Sequence, residues 1–600
     1  MGVIACRAWR KFGAGFLVWA ASSAYALDDI KLRVPDGTEE GLRDTLVASS
    51  ILRTSEEELP TGRDVYAAAL ADYRRLTETL YAEGYYNGVI SIKLDGREAS
   101  AVSPLSVPNQ ISMVLIEVEP GEPFRFGRAE IGPLVPETVP LPEFSRGERA
   151  RAGAIRDAAQ TAVDDWRDAG FAEAAVADQR VVADHARRRL DTDLTLDPGR
   201  RYVFGRLVVG SESAVRSMRI RRIGGLPEGE TFSPAELDQV VQRLRRTGAF
   251  SSVVLKERPS PSSGVVDIVV EVADEAPRRF GFGAELSSLE GLELSAYWFH
   301  RNLLGGAERL RFDAEISNIG TDEAGGIDYF LGSRITTPGR FGADTVLFAF
   351  ANYTHEDEPD YLSDRLEAGI GATRYISSSL EGEFSLTYTY AETEDELGDR
   401  TFQYLSFPLA LTWDRRNDQL NPTQGLYVRG ELRPFSAIEG LDSGLRSTLD
   451  ARGYYGIDEE DRFVLAGRLQ FGSVYGPDIT ETPQDFLFYS GGGGTVRGQS
   501  YQSLGVTLPG GVDLGGRSFV GLSGEVRVGI TEALGAVVFA DTGYVGAEEF
   551  YDGSGMWHSG GGLGIRYNTG IGPVRFDVAT PLGDNAGEDV QIYLGIGQAF

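Results

Sequence analysis

The sequence is almost without cysteine. Its one thiol, Cys6, lies in an N-terminal stretch that reads as a leader, so no disulfide is expected after it. Histidine is scarce as well, and His185, His300, His355 and His558 stand far apart, without metal-ligand spacing. No Gly-x-Ser-x-Gly nucleophile turn occurs, and the four glycines Gly491 to Gly494 are not followed by Gly-Lys-Ser/Thr, so a phosphate loop fails. These absences argue against an enzyme and imply no cofactor and no metal. After the leader no apolar run reaches the ~18 residues of a helical membrane span. A membrane-embedded form therefore has to be a β-barrel. Positive charge is in deficit: 58 Lys and Arg against 89 Asp and Glu give a net charge of −31. Such a chain gains nothing by counterion release on a phosphate backbone, which argues against nucleic acid as a partner.

What is present begins with the leader. Arg7, Arg10 and Lys11 form a basic region, Phe12 to Ala21 an apolar core, and Ala24-Tyr25-Ala26 a small-residue cleavage site. Residues 1–26 read as a secretory signal peptide, cut before Leu27. An exported, acidic chain with 75 glycines and 25 tyrosines suits a bacterial envelope.

Two markers then recur. A helical stretch ending in Gly plus an aromatic or Ala-aromatic step, followed by a strand, occurs at Gly84, Gly170 and Gly248, each where a helix C-cap needs a left-handed residue. A Phe-Gly step follows at Phe126-Gly127, Phe204-Gly205 and Phe280-Gly281, 78 and 76 residues apart. Each unit reads β-α-α-β-β over roughly 80 residues. The pattern resembles the POTRA module, and the resemblance implies periplasmic domains at 27–122, 123–199 and 200–276 that bind other chains by adding a strand to a sheet edge.

From about residue 277 the helical period gives way to segments of about ten residues with alternating hydrophobicity. In RFVLAGRLQFG, Phe463, Leu465, Gly467, Leu469 and Phe471 share one face, and Val464, Ala466, Arg468 and Gln470 the other. One face suits lipid; charges on the other would be penalised there by ~2–4 kcal/mol each at the midplane. The expected fold is thus mixed: three POTRA domains followed by a 16-stranded antiparallel transmembrane barrel over 277–600. With the repeats in the periplasm, the long connection of about 475–516 is the sixth extracellular loop, called loop 6 below.

Loop 6 carries SGGGGTVRGQ, in which the glycines read as slack that lets the loop fold back and deliver Arg497. Glu525 lies on the polar face of its strand, and Asp541 shares parity with Phe539 and Gly543. The two acids either converge in the lumen on Arg497, whose planar fork bridges carboxylates, or pair with strand arginines such as Arg527 or Arg566.

Val496-Arg497-Gly498 resembles the loop 6 motif of the Omp85 superfamily. GLSGEVR around Glu525, the FxDxG run Phe539 to Gly543, and WDRRNDQLNPTQG (Trp413 to Gly425, at the periplasmic turn between strands 8 and 9) are similar to other motifs of that superfamily. Gln499 departs from it, standing where an aromatic is usual, with Tyr501 two residues on. Three repeats without a plug helix look most like the TamA branch of the BamA/TamA family. The resemblance implies an assembly factor of the bacterial outer membrane that inserts unfolded β-barrel clients through a seam between strands 1 and 16. It also implies an inner-membrane-anchored, TamB-like periplasmic partner and contact with membrane lipids. Gly281, Gly283 and Phe600 would form the seam. A two-partner-type secretion pore, a passive porin and a trans-envelope lipid-transfer scaffold are the alternatives.

Overall fold

The computed structural model describes residues 29–54, 61–260, 263–287, 291–320, 326–358, 360–458, 460–509, 511–570, 572–583 and 590–598. The expected leader, 1–26, and Phe600 lie outside the described residues. The chain divides into two compact units. One runs to Val203 and includes Thr231–Ser233 and Pro261–Gly264; the other comprises Phe204–Glu230, Pro234–Ser260 and Val265–Phe600.

The first unit holds two α/β modules in succession. In the first module, strands Asp29–Arg33, Met113–Glu119, Val89–Leu94 and Arg97–Glu98 form a sheet in that order. Helix Gly62–Ala82 starts with a capping box: the Thr61 hydroxyl accepts from the Asp64 amide, and the Asp64 carboxylate accepts from the Thr61 amide. Val65, Ala69, Leu76 and Leu80 recur along one face of this helix and are buried in one core with Ile92, Val114 and Ile116. The buried Asp72 accepts from the Ser50 hydroxyl at 2.6 Å and from the amides of Ile51 at 2.8 Å and Leu52 at 3.3 Å. It thereby satisfies the first turn of helix Ile51–Thr54.

The second module has strands Arg125–Gly132, Arg189–Asp197 and Ala175–Asp184 in that sheet order, with one helix, Ala152–Asp168. The β-α-α-β-β pattern predicts two helices, and the structure corrects this. Pro133, Pro136, Pro140 and Pro142 punctuate the stretch where the first would run. Proline lacks the amide donor and clashes with the preceding turn.

In the second unit a third module pairs strands Val203–Val209, Val265–Asp274 and Phe250–Ser260 with helices Ser217–Gly224 and Pro234–Arg246. The helix-stop glycines of the three modules all adopt left-handed backbone, with φ of 82° at Gly84, 100° at Gly170 and 67° at Gly248.

From Arg278 onward, seventeen strand segments close into a barrel. Two of them, Gly398–Ser406 and Leu409–Asp414, both pair with Leu380–Asp395 and with Gly425–Glu439. They are the halves of one strand position interrupted at Pro408, which has no amide to give to a ladder. The alternation settles which way side chains point. Phe463, Leu465 and Leu469 face outward and are exposed, while Val464 and Ala466 are buried inside; Leu522 and Val526 face outward, while Glu525 and Arg527 are buried inside.

The third module grips the barrel rim with arginines. Arg219 is buried and donates to the carbonyls of Gly306 and Pro338, in two adjacent rim turns. Arg243 makes a two-pronged contact to Asp344, Nε to Oδ1 at 2.8 Å and Nη2 to Oδ2 at 2.8 Å. Hydrogen bonding from Arg243 holds the Asp344 carboxyl below the usual carboxylate range. A carboxyl lowered in the folded state adds stability that is complete above its unfolded pKa of about 3.9, and that is lost as pH falls through the lowered folded value. The module should stay docked at about pH 5 and loosen only well below about pH 4. Asp344→Ala should loosen it already at neutral pH. A dye pair on introduced cysteines, one in the module and one on the barrel, reads both effects.

Candidate functional site: loop 6 in the barrel lumen

The connection between strands Phe463–Tyr475 and Ser518–Gly529 folds into the lumen rather than away from the barrel. Its aromatic part packs first. Phe486 sits 4.9 Å from Phe435 and 5.1 Å from Tyr404, ring centre to ring centre. Phe486, Phe488 and Leu504 share one buried cluster with Phe402, Phe519 and Val545 of the barrel wall. The Arg446 guanidinium lies 4.7 Å over the Phe488 ring and donates to the Phe486 carbonyl. The extracellular half of the lumen is thereby occupied by the loop's own core.

Beyond this cluster the loop turns at SGGGG. The glycines are not slack, which corrects the sequence expectation. Gly491 has φ 119°, and a Cβ there would stand 2.1 Å from the Ser500 carbonyl oxygen. Its amide is fixed by the Thr495 hydroxyl at 2.8 Å, and Arg468 donates to the Gly494 carbonyl. The run is an ordered tight turn whose backbone no other residue type fits at Gly491.

The turn presents Arg497, which is 3 % exposed. Its Nη1 donates to Glu525 Oε1 at 2.7 Å, its Nε to Asp541 Oδ2 at 2.7 Å, and its Nη2 to Asp541 Oδ1 at 2.9 Å. Its backbone amide adds a bond to Asp541 at 3.1 Å. The guanidinium lies flat over Phe539 at 3.6 Å, a cation–π contact inside a desolvated site. Register explains the convergence: Ser523 is the cross-strand partner of Asp541, so Glu525 stands diagonally to it, two residues along. The strand arginines take part as well. Arg527 Nε donates to Glu525 Oε2 at 2.8 Å, so this acid has both proposed partners. Arg566 pairs with Asp577 rather than with either expected acid.

Asp577 is the residue that sequence reading missed. It is fully buried, in strand Gly572–Leu582, 3.7 Å from Arg497 Nη1. Its signal was present: in RFDVA it shares the inward parity of Arg575. Three carboxylates and three guanidiniums thus meet in the lumen with no net charge. That balance matters, because a buried ion left without its partner is heavily penalised.

Two further features seat the loop. Strand Met556–Thr569 offers glycines on its inner face, and a Cβ at Gly560 would stand 1.9 Å from the Arg497 carbonyl oxygen. Gly498 has φ 92° and lies against the backbone of Thr580, while its amide donates to the Tyr593 hydroxyl at 3.1 Å. Val496 is fully buried. Gln499 donates through Nε2 to the Ser559 carbonyl at 2.6 Å, so this position ties the loop to the wall by an amide. Tyr501 does not replace the missing aromatic; it reaches Glu358, in strand Thr345–Glu358, at 3.0 Å.

The network continues to the periplasmic mouth. The hairpin connection after Asp414 is held by Arg416, which donates to both Asp414 oxygens at 2.9 and 2.8 Å. Its tip reaches into the barrel. Arg527 donates to the Pro422 carbonyl at 3.3 Å, and Gln598 bridges Arg566, which donates at 2.8 Å, to Asn421, which accepts at 2.8 Å. One ring of contacts therefore joins loop 6, the wall strands, the periplasmic hairpin and the end of the last strand.

Gly281 and Gly283 sit in the first barrel strand, Arg278–Ser287. A Cβ at Gly281 would stand 2.2 Å from the Tyr297 ring, and one at Gly283 2.5 Å from the Ser295 hydroxyl. Both glycines make room for cross-strand neighbours. They lie outside the short stretch that pairs with the last strand, Gln591–Ile596, where Leu286–Leu594 and Ser287–Tyr593 are the matched pairs among the described residues.

Fold and site together define an outer-membrane β-barrel with periplasmic α/β modules and an extracellular loop anchored inside the lumen. Residues 302–600 match the Omp85 superfamily domain, and residues 202–274 match POTRA, described as a surface antigen variable number repeat. The chain belongs to the Omp85 superfamily, and its POTRA region faces the periplasm. It is 24% identical over 389 residues to "Outer envelope protein 80, chloroplastic" of Arabidopsis thaliana, across 59% of this chain and 50% of that one. It is 22% identical over 536 residues to "Outer membrane protein assembly factor BamA" of Neorickettsia risticii (strain Illinois), across 82% of this chain and 68% of that one. The chain thus spans about half the length of the chloroplast relative. In fold it is similar to BamA from Haemophilus ducreyi lacking POTRA domains 1–3, with TM-score 0.59 at 18% identity, across 76% of this chain and 95% of that one.

Proposed function

We propose that this protein is a non-enzymatic assembly factor, of the TamA type, that inserts β-barrel clients into the outer membrane through the seam between its first and last strands. On this reading the interrupted pair counts as one strand, which makes a barrel of sixteen, and all three modules are POTRA domains. The observation that carries the proposal is the seam. Strand Arg278–Ser287 has ten matched pairs with its neighbour Gly291–His300, and two with Gln591–Ile596 among the described residues. Such a join leaves backbone donors and acceptors of the first strand open to an incoming strand.

A TamB-like, inner-membrane-anchored partner would dock on the modules by strand addition. Strand Ala175–Asp184 supports this, since it lies at the edge of its sheet and is exposed along most of its length. The lumenal core built by loop 6 disfavours a passive porin and a standing secretion pore. Reconstitution tests the proposal. In vesicles carrying the protein, an unfolded outer-membrane client should become membrane-embedded and heat-modifiable faster than in empty vesicles. Delivery of a soluble passenger into the vesicle interior, with no gain in client folding, would establish the secretion reading instead.

A further inference from the structure

At the periplasmic rim, within the second unit, a cavity of about 370 Å³ lies between the third module and the inner barrel wall. Arg243, Arg246, Arg309, Arg311 and Arg334 line it, against the wall carboxylates Glu381 and Glu383. In a chain of net charge −31 this is a local reversal of sign. Four of the five arginines have carboxylate partners: Arg243 and Arg246 share Asp344, Arg311 takes Asp313, and Arg334 takes Glu383.

Arg309 is the exception. Its Nε is buried and has no hydrogen-bond partner, and among the described residues no carboxylate stands within ion-pair distance of it. Its guanidinium is held 4.3 Å over the Phe299 ring, which also carries Arg301 at 4.7 Å. A buried donor left unmade is costly, and a second guanidinium on the same ring adds like-charge repulsion. An anion in the cavity beside the guanidinium offsets that repulsion.

We propose that this cavity binds a phosphate group, with Arg309 as its principal ligand. The guanidiniums come from one module helix, Pro234–Arg246, and two barrel strands, Arg309–Ile319 and Asp328–Pro338, so they line the cavity from more than one side. That arrangement suits the oxygens of a tetrahedral oxyanion better than a flat carboxylate. The volume falls at the lower end of ligand pockets, roughly 300–1,000 Å³, which leaves space for whatever the phosphate is esterified to. Ile223, Pro338 and Val346 supply an apolar side to that space.

The test uses the full chain in a non-ionic detergent and two probes, inorganic phosphate and a water-soluble short-chain phosphatidylglycerol, followed by phosphorus NMR titration. Saturable binding is expected for at least one probe, weakened roughly tenfold or more in Arg309→Gln, as loss of a charge-assisted contact implies. Binding of both probes identifies the phosphate itself as what is recognised; binding of the lipid alone identifies a headgroup as its source. Arg246→Gln, in the module helix, repeats the test without altering the barrel wall and should weaken the same titration. Absence of saturable binding for both probes, or binding unchanged in both variants, overturns the proposal.

Discussion

Arg497→Ala should release loop 6 from the lumen. Among the described residues the substitution leaves Glu525 with Arg527 alone and Asp541 with no ion-pair partner, in a site where all three side chains are almost fully buried. Breaking a buried pair by removing one partner typically costs ~3–5 kcal/mol. The aromatic cluster around Phe486 remains, so the barrel should still form and stay heat-modifiable on gels. The loop from Ser490 to Tyr501 should become open to added protease, and client assembly should fall. Arg497→Lys should recover little of this. One ammonium cannot span Glu525 and Asp541 with three directed bonds while lying flat on Phe539.

Glu525→Ala should be at least as severe, because Glu525 is shared. It accepts from Arg497 through one oxygen and from Arg527 through the other. Its removal leaves two guanidiniums facing a gap, and Arg527 in turn holds the Pro422 carbonyl of the periplasmic hairpin. The loss should again be ~3–5 kcal/mol, read as a lower denaturant midpoint for barrel unfolding in detergent. The double variant with Arg497→Ala should cost clearly less than the two single losses combined, with a coupling of ~0.5–3 kcal/mol. Strict additivity would mean that the two residues do not act as one network.

Much of this was legible because it rests on local rules. Glycine after a helix followed by a strand marks a left-handed stop, and the three instances obey it. Period-two alternation set which barrel residues face inward and put Glu525 and Asp541 in reach of a folded-back loop, but it left Arg527 and Arg566 open as their partners. Asp577 obeys the same parity in strand Gly572–Leu582, yet nothing in RFDVA tells an acid that pairs with Arg566 from any other inward-facing one. The hairpin's part was invisible for a different reason: Pro422 contributes a backbone carbonyl, and a carbonyl leaves no mark on a sequence. Gly281 and Gly283 are expected at the seam; in the fold each leaves room for a cross-strand neighbour, Tyr297 and Ser295. Gly491 misled in the opposite sense, since a glycine run resembles slack whether it is mobile or locked.

The seam remains the centre of the functional proposal, and Phe282 is its most exposed marker, on the first strand and 84% accessible. A photo-crosslinking residue at Phe282 in cells should capture nascent β-barrel clients. The same residue at Ile370, outward-facing in the middle of the wall with full pairing on both sides, should not. Equal capture at both sites, or none at Phe282 while clients still assemble, would contradict insertion through the seam.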